Sequence, residues 1–120
     1  MDLILNSIKR LLGISEEDES FNFEIILHIN SAFFTLMQLG IGPPEGFSLP
    51  LDEDEAALVT WEDFLDEKTD LQSLQSYIYL RARLLFDPPQ MGYLVDAITK
   101  QISELEWRLN VQAEGVKDND

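Results

Sequence analysis

The chain has 120 residues, with 23 Asp and Glu against eight Lys and Arg, a formal charge of −15, and 45% hydrophobic residues. This length fits one domain, and the hydrophobic fraction is too high for a disordered acidic tail. The chain has no cysteine and one histidine, His28, which excludes disulfides, thiolate metal sites and clusters of histidine ligands. Because phosphate binding needs clustered Lys and Arg, the composition also argues against a protein that grips nucleic acid or anionic lipid.

The N-terminal segment lacks the pattern of a targeting signal. It carries Asp2 where a secretory signal peptide needs a basic end, and its apolar residues break at Asn6. No apolar run approaches the roughly 18 residues of a transmembrane helix. The sequence therefore predicts synthesis in the cytoplasm and no membrane contact.

The spacing of apolar residues predicts four principal helices, near residues 2–12, 21–39, 70–86 and 89–109. Gly13 follows the first helix, where a left-handed C-cap is expected, and Gly40 and Gly42 end the second. Asp70 is placed to cap the third helix.

The segment Asp87-Pro88-Pro89-Gln90 predicts that one helix ends and the next begins within a few residues. It offers Asp at the N-cap, Pro at N1 and Gln at N3. The fourth helix then carries apolar residues at steps of four and three, a heptad seam made of Met91, Val95, Ile98, Ile102, Leu105 and Leu109. The third and fourth helices are therefore predicted to form an antiparallel α-hairpin.

Residues 45–70 form an acidic excursion between the second and third helices, with ten acids and one base. Residues 47–49 and 57–59 fit two short strands of a β-hairpin around an acidic turn at residues 52–55. Thr60 to Asp63 has the pattern of a capping box that opens a short helical turn. The aromatic residues of the excursion are predicted to anchor it, either on the bundle or on a neighbouring subunit.

The predicted fold is mainly α. It is a small helical bundle with an antiparallel α-hairpin and a long acidic loop that includes the short β-hairpin. Residues 1–112 form one domain, and the polar residues 113–120 are predicted to be a disordered tail.

No residue pattern in the chain predicts catalysis. Glu24 and His28 stand four apart, but a carboxylate-bridged di-metal site needs a Glu-x-x-His pair on each of two helices. The acidic residues 52–55 lack the glycine and the closing Glu of an EF-hand, which favours a solvated turn. We therefore predict no enzyme activity and no catalytic, cofactor-binding or metal-binding residues.

The run from Tyr77 to Arg83 interleaves aromatic residues with arginines. At helical spacing Tyr77 and Arg81 share one face, whereas Tyr79 and Arg83 share a different one. Because Tyr and Arg are enriched at protein–protein hot spots, this run predicts a core contact combined with an interface. Arg81 is expected to pair with an acid or with a neighbouring subunit.

Five runs of the chain resemble, in order and spacing, the short head–tail connector (adaptor) proteins of tailed bacteriophages and prophages of Gram-positive hosts. They are LLGI, HINSAFFTLMQLGIGPPEGF, TWEDFL, YIYLRARLLFDPP and ISELEWRLN. The resemblance covers about residues 3–110 and brings no catalytic residues. It implies a helical subunit that assembles into a ring of about a dozen copies under the portal protein.

The resemblance also implies the partners and the location of the protein. The ring would extend the DNA channel, with DNA only as passing cargo, and would dock the next neck, stopper or tail protein. The subunit would be made in the host bacterial cytoplasm and end in the neck of the virion. Its predicted ring-interface residues are Tyr79, Arg83, Trp107, Phe47 and Trp61, and its predicted portal-docking residues are Arg108, Leu109, Asn110 and Val111.

Two other interpretations of the sequence stay open. A small acidic helical protein of phage origin can act as a DNA mimic that occupies the DNA-binding cleft of a host protein. In the second interpretation, the chain is a helical-bundle adaptor in an unrelated cytosolic complex. A DNA mimic would act as a monomer or dimer, whereas a connector forms high-order rings with portal.

Overall fold

The computed structural model describes residues 3–65 and 69–118, with side chains up to residue 114. These ranges contain six helices: α1 (Ile4–Leu11), α2 (Asn22–Gln38), α3 (Glu53–Ala56), α4 (Trp61–Phe64), α5 (Leu71–Phe86) and α6 (Gly92–Asp118). The same ranges contain no β-strand and one isolated bridge, between Leu3 and Thr60. The mainly α fold predicted from the sequence is confirmed.

The core forms around α5, which packs against α2 on one side and α6 on another, while α1 closes the end against α2 and α5. Each long helix contributes apolar residues at spacings of three and four, which places them on one face. On α2 and α5 the fully buried positions are Ile25, Ile26, Ile29, Ala32, Phe33, Leu36, Leu74, Tyr77, Ile78 and Ala82. Within the predicted α-hairpin of α5 and α6, α5 therefore also packs against a third long helix, α2.

The predicted glycine caps are present. Gly13 has a φ of +81°, and the following Ile14 donates its N–H to the carbonyl of Lys9 at 2.9 Å. Of the two hydrogen bonds that define a Schellman motif, this is the one that spans more residues. Gly40 closes α2 in the same way, with a φ of +82°. Both positions need φ > 0, which explains why glycine stands there.

The β-hairpin predicted in the acidic excursion does not form. Instead, Leu49 pairs with a side chain of α2: the Asn30 Nδ2 donates to the Leu49 carbonyl at 3.0 Å, and the Leu49 N–H donates to Asn30 Oδ1 at 2.6 Å. Residues 53–56 form the helical turn α3, because the Asp52 carboxylate caps the N–H of Glu55. Acidic residues at a helix N-terminus are favourable, which supports the turn rather than a strand pair.

The last helix begins later and ends later than predicted. Asp87 and Pro88 each precede a proline, which disfavours α conformation at both residues, and α6 starts only at Gly92. Its backbone continues through Asp118, so residues 113–118 of the predicted disordered tail are helical, and residues 119–120 lie outside the described residues.

The heptad seam of α6 is core only over part of its length. Leu109 is 1% exposed and Ile98 is 9% exposed, whereas Met91 precedes the helix and is 55% exposed. Ile102 and Leu105 lie between these extremes and pack against the core. None of the described helices combines the length and the apolar character that crossing a membrane requires.

Candidate interaction surfaces

The first Tyr–Arg pair of α5 lies inside the subunit. The Arg81 guanidinium donates to the hydroxyl of Thr35 on α2 at 2.6 Å and to the Tyr77 hydroxyl at 3.1 Å. The Tyr77 hydroxyl in turn donates to Glu106 Oε2 on α6 at 2.8 Å. Arg81 therefore reaches an acid through Tyr77, and the chain of hydrogen bonds joins α2, α5 and α6.

Burial dominates the electrostatics of this network. Tyr77 is fully buried, and its desolvation raises the pKa of the phenol to about 12. The hydrogen bond to Glu106 favours the protonated phenol and acts in the same direction, whereas Arg81 opposes it. The network joins three long helices of the bundle.

The second Tyr–Arg pair faces outward, as the helical spacing predicts. Arg83 Nη1 donates to the Tyr79 hydroxyl at 3.0 Å, and both side chains are half-buried. Tyr79 separates two surface depressions. One, of about 380 Å³ between α5 and α6, is lined by Ser76, Tyr79, Leu80, Gln101, Glu104, Leu105 and Arg108. The other, of about 200 Å³ at the end of α1, is lined by Leu11, Leu12, Gly13, Tyr79, Arg83 and Asp87.

The outer face of α6 exposes three large side chains. Trp107 is 65% exposed, and Tyr93 and Val111 on the same side of the helix are 69% and 42% exposed. Beside them, Arg108 pairs with Glu104 at 2.7 Å. An exposed tryptophan between other apolar residues is a typical centre of a contact surface.

Two predicted ring-interface residues pack within their own subunit: Trp61 lies in the core, and Phe47 is half-buried against it. Trp61 is 2% exposed, and its Nε1 donates to the Ser7 hydroxyl on α1 at 3.0 Å. Phe47 packs its ring against Phe33 and Phe64, with centroids 4.9 and 5.2 Å away. The excursion thus folds back on its own bundle. Trp61 does not stay in the interface that we propose below, whereas Phe47 also lines a surface depression that is used there.

The four predicted portal-docking residues divide in the same way. Leu109 is buried, and Asn110 Nδ2 donates to the Leu39 carbonyl at the end of α2 at 3.0 Å. Arg108 and Val111 face solvent. Of the four residues, only Arg108 and Val111 are therefore available for contact with another protein.

The sequence interpretation missed a further surface, on the side of α2 away from the core. Phe23, Leu27 and Phe34 lie 49%, 45% and 59% exposed at helical spacing. Next to Phe34 a depression of about 500 Å³ is lined by Asn30, Phe34, Met37, Glu45, Gly46, Phe47 and Ser48. The available signal was that the apolar residues of α2 cover more of its circumference than a single core-facing side can bury.

The described residues do not assemble a metal site. Glu24 and His28 approach each other to 3.5 Å between Oε1 and Nε2, and no group of three potential ligands lies together in the described part of the chain. The acidic turn at 52–55 is solvent-exposed. The arrangement can bind partners through aromatic and arginine side chains, but these residues do not form a catalytic constellation.

The described residues thus form a small acidic helical subunit that exposes aromatic and apolar side chains on α2 and α6. The chain matches the model of a family described as phage connector protein over residues 4–116. It therefore belongs to the phage connector protein family, which confirms the resemblance found in the sequence. No curated protein and no solved structure matches the chain. Membership assigns it a structural connector role in the phage particle.

Proposed function

We propose that this protein is a head–tail connector subunit that forms a ring of about a dozen copies under the portal protein. The ring extends the DNA channel and docks the next neck or tail component. The observation that carries the proposal is the family match, which extends over residues 4–116. The role is structural rather than catalytic.

A ring contact joins two different surfaces of neighbouring subunits, because a cyclic arrangement is heterologous. Tyr79, Arg83 and Trp107 supply one of these surfaces. Their support is the exposed indole and the two depressions on either side of Tyr79. The end of α6, with Arg108 and Val111 exposed, is the proposed portal-docking element.

The charge of the subunit suits a channel through which DNA slides. Each copy contributes a formal charge of −15, so a ring is strongly electronegative. DNA that passes through it gains no affinity from counterion release, because that gain needs Lys and Arg against phosphates.

Co-expression with the portal protein of the same phage tests the proposal. Affinity capture of tagged portal, followed by size-exclusion chromatography with light scattering, is expected to give a complex that contains many connector copies. A subunit that stays monomeric, does not bind portal, and competes with DNA for a host protein would contradict it. That result would support the DNA-mimic interpretation instead.

A further inference from the structure

We propose that the depression beside Phe34 receives Trp107 of a second copy of this chain. The inference rests on the proposed ring, and it names the surface that the α6 face contacts. The acceptor surface, called the α2 outer face below, consists of Phe23, Leu27 and Phe34 together with the depression.

Most of the α2 outer face belongs to the longest run of the chain without charged residues. Residues 25–44 contain no Asp, Glu, Lys or Arg, although the chain has 31 such residues in total, 8 and 23. Two copies that each carry −15 meet at low cost only where charge is absent. The cores of protein interfaces are likewise depleted of charged residues.

The depression suits an indole ring. Its volume is about 500 Å³, and Phe34, Met37 and Phe47 supply aromatic and thioether surface. Sulfur and aromatic groups make favourable contacts with aromatic rings. Glu45 and Ser48 also line it and offer oxygen acceptors for an indole N–H, which normally finds a partner when it is buried.

One charge beside Trp107 complements the charge that lines the depression. Arg108 follows the tryptophan directly, and its side chain is 58% exposed. Glu45 lines the acceptor. Arginine has five donors in a planar fork, so Arg108 can hold its own Glu104 and also reach a second carboxylate. A contact between Arg108 and Glu45 would fix the register of the two copies.

The occupant is a second copy because Trp107 does not fill the depression of its own subunit. The indole is 65% exposed, and none of the residues that line the depression belongs to α6. The acceptor on α2 and the donor on α6 are different surfaces of one chain. Their contact is therefore heterologous, which is what a closed ring requires.

Cysteine cross-linking between copies tests the contact, because the chain has no cysteine of its own. Ser48→Cys places a thiol at the depression, and Ser103→Cys places one on α6, one turn before Trp107. The two single variants are mixed and treated with a short bismaleimide, with and without portal. We expect a covalent dimer in the mixture and much less in either variant alone.

The matched control pairs Ser103→Cys with Ser20→Cys, an exposed serine before α2, and is expected to give little dimer. If rings form on portal but the Ser48 and Ser103 mixture does not cross-link above this control, the inference fails and the proposed function stands. If the mixture cross-links while portal is never bound, the inference stands and the proposed function fails. If neither occurs, both are overturned.

Substitutions supply an independent test by sedimentation. Trp107→Ala and Phe34→Ala should each weaken self-association by roughly thirtyfold, as expected for hot-spot residues. Leu58→Ala, which removes an equally apolar and 74% exposed side chain outside the contact, should leave it unchanged. Glu45→Arg and Arg108→Glu should each weaken association, and their combination should restore it. Equal behaviour of Phe34→Ala and Leu58→Ala, or no restoration in the combined variant, would overturn the contact.

Discussion

The inner and outer faces of α5 carry the same two residue types at the same spacing, yet they do different things. On the inner face, Tyr77 and Arg81 are joined to α2 and α6 by hydrogen bonds. On the outer face, Tyr79 and Arg83 are hydrogen-bonded only to each other among the contacts that the structure describes. A local Tyr–Arg pair therefore does not by itself define a role. The packing around it determines whether the pair joins helices of the subunit or stays at the surface, where it is available for the contact that we propose.

Loss of the inner tyrosine should produce the largest effect. Tyr77→Ala removes a fully buried ring and leaves Arg81 and Glu106 without their shared partner. We expect the free energy of unfolding to fall by about 3–5 kcal/mol, measured by urea denaturation. Tyr79→Ala is the matched variant on the outer face and should cost less than about 1.5 kcal/mol. Equal losses of unfolding free energy in the two variants would contradict the proposed difference between the inner and outer faces.

Loss of Arg81, the arginine of the inner face, should produce the second largest decrease in the free energy of unfolding. Arg81→Leu keeps much of the side-chain volume but removes a charged donor to Thr35 and Tyr77, so we expect a loss of about 1.5–3 kcal/mol. Arg83→Leu, the corresponding outer variant, should stay within about 1 kcal/mol of the parent. Urea denaturation of the pair checks this, and a more damaging Arg83→Leu would contradict the account.

The burial of the Tyr77 phenol is expected to make the protein less stable at alkaline pH. The pKa of Tyr77 is raised to about 12 in the folded protein, above the ordinary value near 10. Its contribution to stability is thus fully present below about pH 10 and is lost as the pH rises towards 12, roughly 3 kcal/mol in all. Tyr77→Phe should remove that part of the pH dependence. An unchanged slope between parent and variant would show that the phenol is not desolvated.

A charge reversal at Arg83 should have the smallest effect on folding and the largest effect on ring assembly. Arg83→Glu reverses a charge on the outer face without touching the core, so the circular-dichroism spectrum should match the parent. The same variant should fail to form rings on portal, because it places an acid in a proposed contact of an already acidic subunit. A variant that assembles like the parent would remove Arg83 from the interface.

The features that could be predicted from the sequence depend on short-range physics. The bounds of α2 and α5, the glycine at the end of α1 and the Asp70 cap all follow from residues within one or two turns. The separation of the two Tyr–Arg pairs follows from helical spacing alone. The capping box at Thr60 is also local: the Asp63 carboxylate accepts the Thr60 N–H at 2.9 Å.

The wrong predictions depend on contacts between distant residues. Leu49 had the alternation of a strand, but its backbone partner is an asparagine side chain 19 residues away. Trp61 is held by Ser7, 54 residues away. A single sequence does not reveal such pairings, and it therefore predicts Trp61 as an interface residue although the side chain is 2% exposed in its own subunit. The α2 outer face was missed because its exposed residues resemble those that form the core.

Electron microscopy of the connector bound to its portal tests the central claim most directly. Co-expressed and purified together, the two proteins should show a closed ring of connector subunits under the portal, with the end of α6 against portal and with Trp107 and the α5 outer face between neighbours. Portal particles without added density, or with one or two connector copies at irregular positions, would contradict the account.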